Sequence, residues 1–213
     1  MTQFMHLRLF NRIFREEKYR EMLTAAVEDL RNNYLTQEKL GEMTRQYAET
    51  VRPYLFRSPD MANSRLTDES QYNNLTSAIA GEIEENYGYY LESLEKPWPF
   101  FVGTPTAEEG RISIQWDVSY DLDGENITYS YVLARDYRLT DVIAQGEGLF
   151  LPEATFDPLP PGTYYLRVQA KNESGYVQDC FDYYSTESEG KAYGVKVFVV
   201  NEDGSIENYL AEE

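Results

Sequence analysis

The sequence is poor in the side chains that most often carry chemistry. Among 213 residues there is one cysteine, Cys180, and one histidine, His6. A single cysteine excludes an internal disulfide and any cysteine-based zinc cage. Nucleophilic work by a lone thiol needs an imidazole, and the only one sits near the opposite end of the chain. Cys180 therefore reads as a small, partly buried apolar residue. No run of 18 apolar residues occurs, so no helical membrane span is predicted. The opening MTQFMHLRLF is too short and too polar for a signal peptide. Basic residues are also scarce, with 19 Lys and Arg against 37 Asp and Glu and a formal charge of −18. The deficit is uneven: residues 1–95 hold 11 basic against 16 acidic side chains, and residues 96–213 hold 8 against 21. A field of that sign repels phosphate backbones and anionic lipid surfaces, which disfavours nucleic acid and membranes as partners. No GxGxxG, Walker loop, GxSxG or HExxH is present. The sequence assigns no catalytic residue, no cofactor and no metal-ligand set.

What the chain does have is apolar and aromatic material, 42% and 15% of residues, enough for packed cores rather than disorder. Its recurrence changes along the chain. Residues 11–34 carry Ile13, Phe14, Met22, Leu23, Ala26, Val27 and Leu30 at helical spacing. Thr36 is placed to cap a second helix over about 37–55, with Glu38 in its first turn and Leu40, Met43, Tyr47 and Val51 on one stripe. Pro53 is expected to end or kink it. Residues 56–67 read as loop, and Asp68 as the N-cap of a third helix over about 69–94, striped by Tyr72, Leu75, Ile79, Ile83, Tyr87, Tyr90, Leu91 and Leu94. Such stripes are expected to be core. Phe4, Leu7, Leu9 and Phe10 are apolar before any capping signal, so Met1 is expected to begin a fragment of a longer protein.

KPWPFFVGTP at 96–105 marks the switch, because three prolines forbid helix and favour extended chain. Beyond it the period is two. Ile112, Ile114, Trp116 and Val118 share a face, as do Ile127, Tyr129, Tyr131 and Leu133, then Tyr164, Leu166, Val168 and Ala170, and last Tyr193, Val195, Val197 and Val199. Asp123-Gly124, Gly146, Gly148, Pro160-Pro161-Gly162 and Asn172 to Gly175 read as turns. About seven short strands without intervening helices predict an antiparallel sandwich, with Tyr164 placed for a tyrosine corner. The expected division is a helical subdomain over 1–95, a β-sandwich over 96–201 and an acidic, frayed tail over 202–213.

Two resemblances follow from these stretches. ISIQWDVSYDLDGENITYSYVLARD followed by LPPGTYYLRVQAKNESG resembles a fibronectin type III domain, an Ig-like sandwich. Trp116 falls on the second strand, Tyr131 on the third, and Leu159, Gly162, Tyr164, Val168 and Ala170 on the sixth-strand pattern. The turn before Tyr164 is one residue tighter than that pattern, and Gly175 to Tyr193 is longer than a plain type III ending. The helical part resembles the C-terminal helices of the spore-coat CotH kinase-like family on narrower grounds. Asn11, Arg12, Phe14, Tyr19, Arg20, Glu38, Leu40, Arg52, Pro53 and Tyr54 occupy the family's pattern, and Lys96 to Phe101 fits the join to an appended type III-like module. The nucleotide-binding and catalytic residues of that family lie upstream of these helices and have no counterpart here. The resemblance thus implies a non-catalytic scaffold or protein-interaction region at an extracellular, cell-surface or spore-coat location.

Several local clusters are candidates for binding. Asp121, Asp123 and Asn126, with Glu125, alternate around a turn as calcium ligands do, but no Glu completes an EF-hand, and a solvated turn accounts for the same residues. Tyrosine is abundant, at 19 residues. Tyr165 and one of Tyr183 or Tyr184 are expected to face outward, where they would stack on a glycan or a protein partner. Glu16-Glu17 and Glu84-Glu85 lie on polar helix faces and read as solvated surface. Sequons stand at Asn74, Asn126 and Asn172. Alternatives to the scaffold reading are a carbohydrate-binding accessory module and part of a kinase-like phosphotransferase lacking its catalytic lobe; the latter needs a phosphate cradle and metal-binding carboxylates that are not recognisable. An apolar patch left on the helices would drive docking or dimerisation.

Overall fold

The computed structural model describes residues 8–66, 68–108, 110–186 and 190–209. Phe4, His6 and Leu7 lie outside them. The chain forms two compact units, Leu9–Glu92 and one that contains Ser93–Glu213.

In the first unit the described helices are α1 Arg8–Arg15, α2 Glu17–Asn33, α3 Gln37–Leu55, the short α4 Asp60–Asn63 and α5 Glu69–Glu95. The single helix expected over 11–34 is broken at Glu16, whose backbone is extended (φ −88°, ψ 116°). Arg20 compensates the break: its guanidinium donates to the released carbonyls of Phe14 at 2.8 Å and Arg15 at 3.0 Å. Two capping expectations hold. The Lys39 N–H donates to Thr36 Oγ1, and the Gln71 N–H donates to Asp68 Oδ1 at 2.8 Å. Pro53 is carried inside the last turn of α3, which ends two residues later at Leu55. The stretch expected as loop contains α4.

Side chains of α2 and α5 meet through polar and aromatic contacts. Arg31 reaches Glu84 at 2.6 Å and lies 4.6 Å from the centre of the Tyr87 ring. Tyr87 Oη donates to Glu28, and Thr24 and Tyr90 share a hydroxyl–hydroxyl bond of 2.6 Å. Exposed pairs of this kind contribute about 0–1 kcal/mol each. The expectation that the three stripes are core is corrected here. α2, α3, α4 and α5 contain no buried residue, and Phe14 is the only buried side chain among those described in Leu9–Glu92. Met22, Met43, Tyr47 and Leu75 stand exposed on the stripes themselves. Three amphipathic helices with little else around them enclose too small a volume to cover their own apolar faces.

The second unit is built differently. Its strands are β1 Thr106–Glu108, β2 Arg111–Gln115, β3 Thr128–Ala134, β4 Val142–Leu149, β5 Glu153–Phe156, β6 Gly162–Lys171, β7 Val177–Asp179, β8 Tyr183–Thr186, β9 Gly190–Tyr193, β10 Val195–Val200 and β11 Ile206–Asn208. One antiparallel sheet has the order β1-β2-β5 and the other β11-β10-β6-β3-β4, with β7 also on β6. Inward alternation from both sheets makes the core: Ile112, Ile114 and Trp116 from one, and Tyr129, Leu133, Tyr164, Leu166, Val168, Ala170, Phe198 and Val200 from the other. The proline-rich segment closes it. Trp98 N–H donates to Tyr120 O, Asp117 N–H to Phe101 O and Gly103 N–H to Gln115 O, so 98–103 runs as an extended partner of 115–120 and buries Trp98, Phe100 and Val102. Tyr164 Oη donates to Pro160 O at 2.6 Å, the tyrosine corner expected from its position.

Four strand expectations are corrected. Val118 does not share the face of Trp116 but is 70% exposed, because the inward phase breaks between buried Trp116 and buried Ser119 while 117–120 stay paired with the proline-rich segment. Gly146 and Gly148 lie within β4 and do not end it. A Cβ on Gly146 would stand 2.6 Å from the Tyr131 ring, and Gly148 takes φ +67° where the register shifts. The last strand is expected to carry Tyr193, Val195, Val197 and Val199 on one face. Phe198 and Val200 are in the core instead, since Phe198 lies opposite the inward-facing Tyr164; Val195 and Val197 are buried on the outer face, and Tyr193 belongs to another strand. The tail expected to fray from 202 contains β11, paired with β10 at Val200↔Ile206.

Candidate functional site

The long stretch before the last strand is an insertion into a single strand track. β7 pairs with Lys171 to Gln169 of β6, Cys180 N–H donates to Val168 O, and β10 resumes at Val195 opposite Arg167. Residues 181–194 leave that track and return to it, and they carry the β8–β9 hairpin. The neck is tied at Asp182. Its carbonyl accepts from the N–H groups of Gly194 at 2.8 Å and Val195 at 3.2 Å; one carboxylate oxygen accepts from Val102 N–H at 2.8 Å, and the other lies 3.2 Å from Lys196 Nζ. Gly194 has φ +77°, and a Cβ there would meet Asp179 Cβ at 2.9 Å, so glycine is required at the return.

The hairpin has two faces. Tyr184 and Ala192 turn toward the sandwich, and Tyr184 packs on Tyr165 (ring centres 5.2 Å apart), Tyr137 (5.7 Å) and Tyr209 (5.7 Å). Tyr137 is carried on a loop fixed by Asp136, which accepts from the N–H groups of Thr140 and Asp141. The Asp141 N–H is the main reason that this carboxyl is held below the ordinary range. Tyr165 therefore faces outward as expected but is covered, and burial chiefly pushes its hydroxyl up to about 12. The other hairpin face shows Tyr183 and Tyr193 directly opposite each other, 48% and 70% exposed, with ring centres 6.1 Å apart. Lys191 Nζ lies 4.0 Å from the Tyr183 ring centre. Of the expected outward tyrosines, Tyr183 is open to solvent and Tyr184 is not. Tyr193 was missed because GKAYGVKV reads as one alternating run; Gly190 and Gly194 on either side were the available signal.

In the acidic turn, Asp121, Glu125 and Asn126 bind protein groups. Asp121 Oδ1 accepts from the N–H of Asp123 and Oδ2 from Asn172 Nδ2, both within 2.9 Å. Asn126 Nδ2 donates to Glu173 at 2.7 Å, and Glu125 accepts from the N–H and the hydroxyl of Ser174. Among the described residues no cluster of three metal-ligating side chains occurs. Asn172 is buried and fully engaged: Nδ2 donates to Glu95 O and Asp121, and Oδ1 accepts from Tyr176 N–H. Its sequon cannot be glycosylated in the folded state without breaking these bonds. Cys180 is buried in the core, and burial chiefly pushes its thiol up to about 12, the behaviour of an inert structural cysteine. Glu84 pairs with Arg31, and Glu16 lies at the helix break. No helix among the described residues is long and apolar enough to cross a membrane.

Element order and packing define a helical segment followed by an Ig-like antiparallel β-sandwich. Family comparison agrees with both pieces: residues 5–90 match the model described as CotH kinase protein, and residues 121–178 match that of the Y_Y_Y domain, an Ig-like domain. The chain is thus CotH-like in its helical part and carries an Ig-like β-domain behind it. No curated protein matches the chain.

Proposed function

We propose that the chain is a non-catalytic region of a CotH-like protein of the cell surface or spore coat, in which the helices dock to a kinase-like lobe and the sandwich serves as scaffold and interaction module. On this reading the helical subdomain over 1–95 and the β-domain from about 96 onward are separate functional pieces. The observation that carries it is the contrast within the CotH-matching segment itself: its helices are amphipathic, yet Met22, Met43, Tyr47 and Leu75 remain in water. An apolar stripe kept on a charged helix calls for a cover, and the similarity to the CotH kinase model supports a kinase-like lobe as that cover. Phosphoryl transfer needs a phosphate cradle, a metal-binding carboxylate and a positioned base. Arg31–Glu84 and Arg45–Glu49 are exposed ion pairs on the helix surfaces. Titration of the chain with ATP and magnesium is expected to give no saturable binding. Saturable binding, or transfer of the γ-phosphate to any acceptor, would overturn the non-catalytic reading.

A further inference from the structure

The inserted hairpin has a pattern opposite to an ordinary surface hairpin. A two-stranded ribbon lying on a sheet is expected to keep its large aromatics beneath and polar side chains above. Here aromatics occupy both faces. Tyr184 below is explained by Tyr137, Tyr165 and Tyr209, which it packs against. Tyr183 and Tyr193 above have solvent on their open sides, and the pleat sets them side by side in register. The support beneath them is tied at several points: a ring-packed underside, a neck closed on the Asp182 carbonyl and carboxylate, and an obligatory glycine at the return. A side-chain pair held in this way is preorganised, which lowers the entropy lost on binding.

We propose that the outer face of the β8–β9 hairpin is a binding platform for a neutral polysaccharide, with Tyr183 and Tyr193 as the stacking rings and Lys191 as an adjoining donor to sugar hydroxyls. This is independent of the CotH-like reading of the helices. Size and charge select the ligand class. An aromatic side chain buries roughly 150–250 Å², so two rings fall well below the ~800 Å² that each partner contributes to a stable protein interface. One or two sugar rings, with an apolar C–H face and hydroxyl edges, match two phenols whose centres are 6.1 Å apart and whose planes are inclined at 51°. Anionic polymers are disfavoured because residues 96–213 carry 21 acidic against 8 basic side chains.

The test uses the full chain in affinity electrophoresis through gels containing xylan, galactomannan or mixed-linkage β-glucan, with heparin and hyaluronan as anionic comparators. Retardation by at least one neutral polymer and by neither anionic one is expected. Tyr193→Ala and Tyr183→Ala should each weaken that binding by about tenfold or more. Tyr193→Phe, which keeps the ring, should stay within about twofold, and the unfolding midpoint of all three should match the parent because both side chains are exposed. Retardation by none of the neutral polymers, preference for the anionic ones, or unchanged binding by both alanine variants would overturn the proposal.

Discussion

The two units use similar amounts of apolar sequence to opposite effect. In the sandwich, alternation from two sheets and a proline-rich strap converges on one interior, where Leu133, Leu166, Val168 and Phe198 are wholly buried. In the helical unit the stripes are as regular, but only Phe14 is buried among the described side chains, and polar contacts such as Arg31–Glu84 and Thr24–Tyr90 join the helices. A sheet pair encloses volume between its faces. Three helices with short connections mostly present theirs. Regular amphipathic periodicity therefore states which face is apolar and not whether anything covers it.

The sharpest way to break that comparison is truncation on each side. Phe198→Ala or Leu166→Ala should cost about 3–5 kcal/mol in denaturant unfolding followed by a β-domain probe, because a cavity is left in a closed core. Met43→Ala or Tyr47→Ala, at exposed stripe positions, should stay within about 0.5 kcal/mol. Comparable losses in both units would mean that the helices hide a core of their own.

A second test concerns how the sandwich manages its buried polar groups. Asn172→Ala removes three hydrogen bonds and strands the Glu95 carbonyl and the Tyr176 N–H, so a loss of about 2–3 kcal/mol is expected from the same unfolding measurement. Asn126→Ala, which loses one exposed bond to Glu173, should cost far less.

The smallest effect is a basic limb in stability. Cys180 is raised from 9.0 to about 12 and Tyr165 from 10.0 to about 12. Both are neutral when protonated, so the folded state holds their protons more tightly than the unfolded one. Their contribution is present in full below about pH 9 and is lost as pH rises toward 12. A decline of about 1 kcal/mol between pH 9 and pH 10 is expected from the thiol, and Cys180→Ser should flatten it.

Much of this architecture was legible in the residues. Tyr164, Leu166, Val168 and Ala170 gave the phase of β6, the Pro160-Pro161-Gly162 turn placed the tyrosine corner, and Thr36 and Asp68 marked helix starts. The break at Glu16 was not legible, because the periodicity runs through it and Arg20 caps it from outside the gap. Gly146 and Gly148 look like turn residues, yet one admits the Tyr131 ring and the other forms a bulge inside β4. The candidate site was half visible: outward tyrosines were expected, but period-two reasoning assigns faces only within one strand. Gly194 ends the β9 run at a left-handed residue, which takes Tyr193 off the last strand and onto the exposed hairpin face, while Tyr184 covers Tyr165.

Hydrogen exchange on the full chain tests the central contrast most directly. Amides of β3, β6 and β10 are expected to exchange only through global unfolding of the β-domain, while those of α2, α3 and α5 exchange through local opening at least a hundredfold faster, about 2.7 kcal/mol less protected. Equal protection across the helices and the central strands would contradict the account.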